Sequence, residues 1–334
     1  MEQFENRENH SPANQVPEQP PKESAGAKFV QNYLGFIPIV LALLGILFGI
    51  GLSHAPIRFE TILGQFWILG IIAVGIVVST RIKGPDFSMP AMMVLSAAMI
   101  AFTAQTGSIV AGVIAALLVC LYYGMVNGAV ISFLGAPAML ITLVSAALMR
   151  FGVFQLFDGS FIRLEGVATI RTEQSRFFFI FVIALIIGIL ALIVTKRFPV
   201  HKREHKFPRL RVMFGYFLVT VIAGLAGYVF IIRVGGVTLA TDEGLMTSVI
   251  VIFAAVQSSK LLKNNIIALV YGIFVALLLT VSTHVNILLG LSPFWVRAIE
   301  AGFAFQLVCV ACAAQGGWRT ALGANLEPVE QLQK

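Results

Sequence analysis

The stretch that decides the fold reads GAPAMLITLVSAALMRFGVFQLFDGS, from Gly135 to Ser160. It begins as an apolar run suited to a lipid bilayer, whose hydrocarbon core of about 30 Å is crossed by about 20 residues of α-helix. Near its far end the run carries Arg150, whose guanidinium stays protonated in proteins. The stretch therefore predicts a membrane-spanning helix with one permanent charge towards one end.

The composition of the whole chain agrees with a membrane setting. Of its 334 residues, 58% are hydrophobic and 12% are charged, and the mean hydropathy is +0.91. A soluble domain has a far more polar balance. We therefore predict an all-α, polytopic membrane protein with about ten transmembrane helices. The predicted spans are 34–52, 62–80, 87–104, 109–131, 136–157, 177–195, 212–232, 244–256, 266–288 and 294–314.

Three regions follow from this pattern. Residues 1–30 are rich in Glu, Asn, Gln and Pro, which predicts a disordered cytoplasmic tail. Residues 31–315 form the transmembrane domain, in which the eighth span is short enough for a broken or partly re-entrant helix. Residues 316–334 are a C-terminal cytoplasmic tail. The N-terminal tail lacks the features of a signal peptide, so we expect the first span to remain attached.

Lysine and arginine placement predicts the orientation, because cytoplasmic loops carry the excess of positive charge. Seven basic residues crowd the segment between the sixth and seventh spans. Placing that segment inside also places both termini inside, as in a multi-pass protein of a bacterial cytoplasmic membrane. The net charge of +7 is spread over loops, so it calls for no nucleic-acid partner. The seven residues are Lys196, Arg197, Lys202, Arg203, Lys206, Arg209 and Arg211.

No catalytic, cofactor or metal site is predicted in this chain. The phosphate-binding pattern G-x-x-x-x-G-K-S/T is missing, so the chain is not expected to hydrolyse ATP. The segment HKREH, residues 201–205, matches a zinc-protease pattern but lies in a basic loop between prolines, where surrounding cations oppose a metal ion. Cys309 and Cys312 lie in an apolar span and are expected to be small, buried, reduced thiols.

Small residues spaced four apart predict close helix packing. Gly45 with Gly49, and Gly124 with Gly128, each place a groove on one helix face, into which a neighbouring backbone can fit. This pattern indicates tight packing and carries no information on substrate.

Four blocks of the sequence together resemble a known family. GPDFSMPAMMVLSAAMIAF begins at Gly84, and GMVNGAVISFLGAPAMLITLVSAALMRFGVFQLFDGS begins at Gly124. FGYFLVTVIAGLAGYVFIIRVGG and VNILLGLSPFWVRAIEAGFAF follow in the same order. They resemble blocks of the permease subunits of sugar-type ATP-binding-cassette (ABC) importers, the ribose, xylose and galactose class, with Arg150 at that family's arginine. The resemblance covers most of residues 60–315.

The resemblance implies a translocation subunit that works by alternating access. It implies ATPase subunits that use ATP, an extracytoplasmic solute-binding protein, a second permease chain and surrounding membrane lipid as partners. The solute would be a small polar metabolite, such as a monosaccharide or a nucleoside. A stand-alone secondary carrier or channel is the alternative, and an intramembrane enzyme is a third. A proton relay is not apparent, because only Glu300 lies well inside a predicted span, one turn after Arg297.

The candidate path residues are the polar side chains of the spans. Arg150 either snorkels to the interface or lines the external gate, with Asp158 as a possible partner. Four other polar residues either bind substrate or join helices by hydrogen bonds. They are Asn127, Thr142, Gln155 and Gln306.

The sequence departs from the family where a permease meets its ATPase. The loop TKRFPVHKREHKFPRLRV lacks the family's docking helix, although Lys202 and Arg203 remain candidates for contact with the ATPase. A fragment with some likeness to that helix, GGWRTALGANLEPVE, instead follows the last span and contains Trp318, Arg319 and Asn325. It either forms a coupling segment or is an ordinary cytoplasmic tail.

Overall fold

A computed structural model describes residues 33–53, 56, 58–105, 107–157, 161–164, 174–196, 206–238, 241–258 and 260–315. Within these residues the fold is all-α, with ten α-helices and one two-stranded sheet, which confirms the predicted fold class. The helices are α1 (Ile37–Leu52), α2 (Phe59–Ile82), α3 (Met89–Gln105), α4 (Ile109–Phe133), α5 (Ala138–Phe157), α6 (Gln174–Lys196), α7 (Lys206–Val234), α8 (Thr241–Gln257), α9 (Asn265–Leu288) and α10 (Pro293–Gln315).

Helix length and composition match a bilayer. Among the described residues, seven helices are long and apolar enough to cross a membrane, and α1 and α3 are shorter apolar helices. The eighth predicted span is one continuous α-helix, α8, of 17 residues. A helix of that length extends about 25 Å at about 1.5 Å per residue. It is short, as predicted, but it is not broken.

The short sheet identifies one end of the bundle. Strands β1 (Ile162–Arg163) and β2 (Gly236–Val237) pair antiparallel, although they lie in connections that are far apart in sequence. We call this the strand end. Because successive helices alternate in direction, α2, α4, α6, α8 and α10 all begin there. The chain enters β2 through Gly235, whose φ of 75° lies in a region that favours glycine.

The core is built around α2, α3 and α7. Helix α7 packs against α2, α3, α4 and α6, and 12 of the 17 residues of α3 are buried. The outer helices turn large apolar side chains outward instead, including Leu118 on α4, Ile186 on α6 and Val270 on α9. Such exposure would be unusual for a soluble protein, whereas lipid chains satisfy it in a membrane.

The predicted glycine grooves are found in part. A β-carbon added at Gly124 would lie 2.7 Å from the Cα atom of Phe217, and one at Gly128 would lie 2.5 Å from the Cα atom of Met213. The backbones of α4 and α7 therefore touch at both glycines, as predicted. Gly49 meets the side chain of Val285 on α9, but nothing lies within 4 Å of a β-carbon at Gly45. Of the first pair, only Gly49 therefore packs closely against a neighbouring helix.

We predict that Gly128→Val destabilises the protein by about 1–3 kcal/mol or more, because the added side chain would overlap the backbone of α7, which cannot rotate away. Thermal unfolding of the purified chain in detergent would measure the effect. Gly45→Val is the matched control, since its site is open. Equal melting temperatures for the two variants would contradict close packing of α4 on α7.

Candidate functional site

The turn between α2 and α3, Gly84–Ser88, is buried and bonded to three helices. The hydroxyl of Tyr216 on α7 donates to the carbonyl oxygen of Gly84 at 2.9 Å. The N–H of Phe87 donates to Thr142 on α5, and the N–H of Asp86 donates to Ser79 on α2, both at 3.1 Å. A buried backbone needs such partners, so this turn fixes the positions of α2, α5 and α7 around the start of α3.

Asp86 is a fully buried carboxylate within that turn. Its Oδ1 atom accepts from the N–H of Ser88 at 2.9 Å and from the Ser88 hydroxyl at 2.5 Å. Its Oδ2 atom has no hydrogen-bond partner among the described residues. Burial raises the pKa of the Asp86 carboxyl, while the bonds from Ser88 oppose that shift.

A cavity of about 510 Å³ extends along α3, α5 and α8 towards the strand end, and we call it the first cavity. Its walls are mainly apolar and aromatic, with charged groups at one end. This combination is typical of small-molecule sites, in which a few polar groups orient a ligand against apolar walls. The aromatic residues are Phe87, Phe151 and Phe154, and the charged residues are Arg150, Asp242 and Glu243.

An ion pair closes one side of this cavity. The Nε atom of Arg150 on α5 donates to the Oδ2 atom of Asp242 on α8 at 2.5 Å. The Arg150 side chain is 44% exposed, whereas that of Asp242 is 1% exposed. The other carboxylate oxygen, Oδ1, is buried and has no partner among the described residues. The pair therefore joins two helices at the strand end and leaves one acceptor atom free.

The structure separates the predicted path residues. Arg150 lies in the wall of the first cavity, while Gln306 lines a different cavity, of about 440 Å³, formed mainly by α1, α9 and α10. Asn127 on α4 accepts a hydrogen bond from Ser145 on α5, and Thr142 accepts from the turn before α3. Gln155 is exposed near the end of α5. The contacts of Asn127 and Thr142 join helices.

Several predicted residues lie outside the described part of the chain. Asp158, the suggested partner of Arg150, is one of them, and the described partner is Asp242. The segment HKREH is another. The candidate coupling residues also lie outside the described part, namely Lys202, Arg203, Trp318, Arg319 and Asn325.

Cys309 and Cys312 are described, and the prediction that both are buried is wrong, because Cys309 is exposed and Cys312 is partly exposed.

The sequence reasoning missed two buried carboxylates. It counted only Glu300 inside a span, because the eighth span was predicted to begin at residue 244. The helix in fact begins at Thr241, which brings Asp242 into its first turn. The signal was available, since acidic residues favour the first turn of a helix. Asp86 lay just outside the predicted third span and was not counted.

Comparison with known proteins supports a transport role. Residues 58–198 match the model of the family described as "Branched-chain amino acid transport system / permease component". The match spans less than half of the chain and includes α2 to α6. It supports an ABC-type permease that forms a multi-pass membrane subunit. No curated protein and no solved structure matched the chain.

We predict that Arg150→Gln destabilises the protein by about 1–3 kcal/mol, because it leaves the Asp242 carboxylate buried without its cation. Asp242→Asn should cost less, since the half-exposed arginine can still reach water. The double variant should be no less stable than Arg150→Gln alone, which unfolding in detergent would show.

Arg163→Gln is the control for this cycle, because that arginine is exposed at the same end and lines none of the cavities described. Strictly additive effects of the two single substitutions would contradict a direct interaction between Arg150 and Asp242.

Proposed function

We propose that this chain is the membrane-spanning permease subunit of an ATP-driven ABC importer, and that the first cavity is its part of the solute path. The observation that carries the proposal is the Arg150–Asp242 pair, which places a guanidinium and a free carboxylate oxygen beside a cavity between helices. Charged groups are costly in a membrane, and those found there commonly mark solute or ion pathways. The family match supports the same class.

The cavity suits a small polar solute with hydroxyl groups, such as a monosaccharide or a nucleoside. The Oδ1 atom of Asp242 is free but buried, so it would accept from a hydroxyl once the ion pair shifts, and the exposed part of Arg150 can donate to one. The rings of Phe151 and Phe154 provide flat apolar surface for the less polar faces of such a solute. Its volume of about 510 Å³ falls in the usual range for small-molecule sites.

The strand end would face the outside of a bacterial cytoplasmic membrane. Of the basic residues in the described chain, eight lie at the opposite end, including Arg81, Lys83, Arg209 and Lys263, against six arginines towards the strand end. The excess of positive charge favours the opposite end as the cytoplasmic side. Both termini would then be cytoplasmic. A solute-binding protein would deliver solute to the strand end, and ATPases would act at the opposite end, with a second permease chain completing the path.

The contact with the ATPase would use the segments that depart from the family pattern. We place Lys202 and Arg203 between α6 and α7, and Trp318, Arg319 and Asn325 after α10, in this role. All five follow helices whose last described residues lie at the end opposite the strands. ATP would bind to the partner subunits, because this chain lacks a phosphate-binding loop.

We predict that the tagged chain, purified in mild detergent, carries an ABC ATPase in stoichiometric amount and shows ATPase activity. Mass spectrometry of the preparation and a phosphate-release assay would measure this. A second permease chain of different sequence in the same preparation would show a heterodimer.

Removal of residues 316–334 provides the second arm of that experiment. Loss of the ATPase from the purified complex is expected if the C-terminal segment couples the subunits. Retention with full coupled activity would remove that segment from the proposal. A chain that purifies alone and without ATPase activity would favour a stand-alone carrier or channel.

We also predict that the first cavity contains water in the membrane. In a variant without Cys120, Cys309 and Cys312, Ala147→Cys should react with a membrane-impermeant maleimide added from outside. The reactive species is a thiolate, which forms only where water reaches the sulfur. Ala147 lines the cavity beside Arg150.

Leu118→Cys is the matched control, because Leu118 is 59% exposed on the apolar outer face of α4. Its thiol would lie in lipid and should stay unlabelled. If both cysteines react at the same rate, or if neither reacts, the first cavity is not an aqueous path.

A further inference from the structure

A second cavity of about 410 Å³ opens at the strand end on the other side of α8, and the proposed function does not use it. It lies among α2, α7, α8, α9 and α10. Unlike the first cavity, it contains two arginines, Arg233 and Arg297, together with one carboxylate, Glu300. Its other polar side chains are neutral, namely Gln65, Thr241, Ser248, Thr280 and Thr283.

Neither arginine of this cavity lies within 4.0 Å of a described carboxylate oxygen, although Arg297 interacts electrostatically with Glu300, three residues further along α10. Arg233 lies against Gly64 on α2 and makes a 3.4 Å contact with the carbonyl oxygen of Thr61. Arg297 lies over Gly244, where an added β-carbon would be 3.3 Å from its guanidinium. Two guanidiniums thus line one cavity, Arg233 partly buried and Arg297 exposed, and among the described residues only Arg233 has a hydrogen bond.

Glu300 is held differently. It is 7% exposed, and its Oε1 atom accepts from the hydroxyl of Thr283 at 2.8 Å. A carboxylate can accept further hydrogen bonds at its remaining lone pairs. The cavity therefore offers donors at its two arginines and an acceptor at its glutamate.

Two helix N-termini add to the positive potential. Helices α8 and α10 both begin at this cavity, with Thr241 and Gly244 in the first turn of one and Pro293 and Val296 in the first turn of the other. The N-terminus of a helix carries a partial positive charge. The acidic side chains of the first turn of α8, Asp242 and Glu243, line the first cavity instead.

We propose that the second cavity binds a small solute that carries an oxyanion group, either a carboxylate or a phosphate, and at least one hydrogen-bond donor. The oxyanion binds Arg233 and Arg297, for which a guanidinium fork is well matched. The donor binds Glu300. This site goes beyond the proposed function, since binding requires neither ATP nor a partner subunit.

The oxyanion has two possible sources with the same chemistry. It is either a free solute that enters from outside or the phosphate of a lipid headgroup at the membrane surface. If the site binds lipid, it would retain anionic lipids in preference to zwitterionic ones. If it binds a free solute, binding would also occur in a bilayer that contains only zwitterionic lipid.

The test uses the full chain in phosphatidylcholine nanodiscs and isothermal titration with three probes: gluconate, inorganic phosphate and glucose. We expect at least one anion to bind and glucose, the neutral probe, to bind at least tenfold more weakly. Arg297→Gln should weaken anion binding by about tenfold or more, because it removes a charge-assisted pair. Arg297→Lys keeps the positive charge and should retain part of the anion affinity, which would show that substitution at this position leaves the protein folded.

Arg163→Gln is the control, since it removes one positive charge from the same end outside both cavities, and it should leave the affinity unchanged. Native mass spectrometry of the chain in nanodiscs that contain phosphatidylglycerol distinguishes the sources. Retention of that lipid by the unsubstituted chain and its loss in Arg297→Gln, without binding of a free anion, would assign the oxyanion to lipid.

Three results would overturn the proposal. They are equal affinity for glucose and gluconate, equal anion affinity in Arg297→Gln and Arg163→Gln, and failure of every probe and of the anionic lipid to bind. None of them bears on whether the chain associates with an ATPase, so the permease function is tested separately.

Discussion

A polar group buried in a membrane protein has to find its partner inside the protein, and the Gly84–Ser88 turn meets this requirement by bonding to three helices. The turn joins the end of α2 to the start of α3, opposite the strand end, and without Ser79, Thr142 and Tyr216 several of its backbone groups would remain unpaired. The positions of α2, α5 and α7 follow from these bonds. Phe87 of this turn also lines the first cavity, together with residues of α3 and α5.

Helix α8 divides the strand end into two chemically different compartments. Its first turn presents Asp242 and Glu243 to the first cavity, and Thr241 and Gly244 to the second. One face is therefore acidic and meets Arg150, while the other carries little charge of its own and meets Arg297. Both cavities contact the N-terminal part of this 17-residue helix, on opposite faces, so the helix separates them.

Much of the fold could be predicted from the sequence, because membrane helices are long apolar runs. Each of the ten predicted spans overlaps a helix, and the glycine spacing predicts the close packing found at Gly124, Gly128 and Gly49, although not at Gly45. The site was harder to predict. Arg150 is conspicuous in an apolar run, but its partner, Asp242, is 92 residues away, and the two come together because α5 and α8 both pack against α3. Gln306 lines a different cavity from Arg150, and the polarity of a residue in a helix does not reveal which cavity its side chain faces.

The placement of arginines on both sides of α8 has a mechanical consequence. Arg150 holds the first turn of α8 through its ion pair with Asp242, and Arg297 lies against Gly244, two residues after Asp242. A tilt of α8 that lengthens the first contact also changes the space available to Arg297, because one rigid helix carries both contacts. Ligands in the two cavities would therefore alter each other's affinity, and such coupling acts equally in both directions. A bound oxyanion that draws the guanidinium of Arg297 away from Gly244 would allow the first turn of α8, and with it Asp242, to move relative to Arg150.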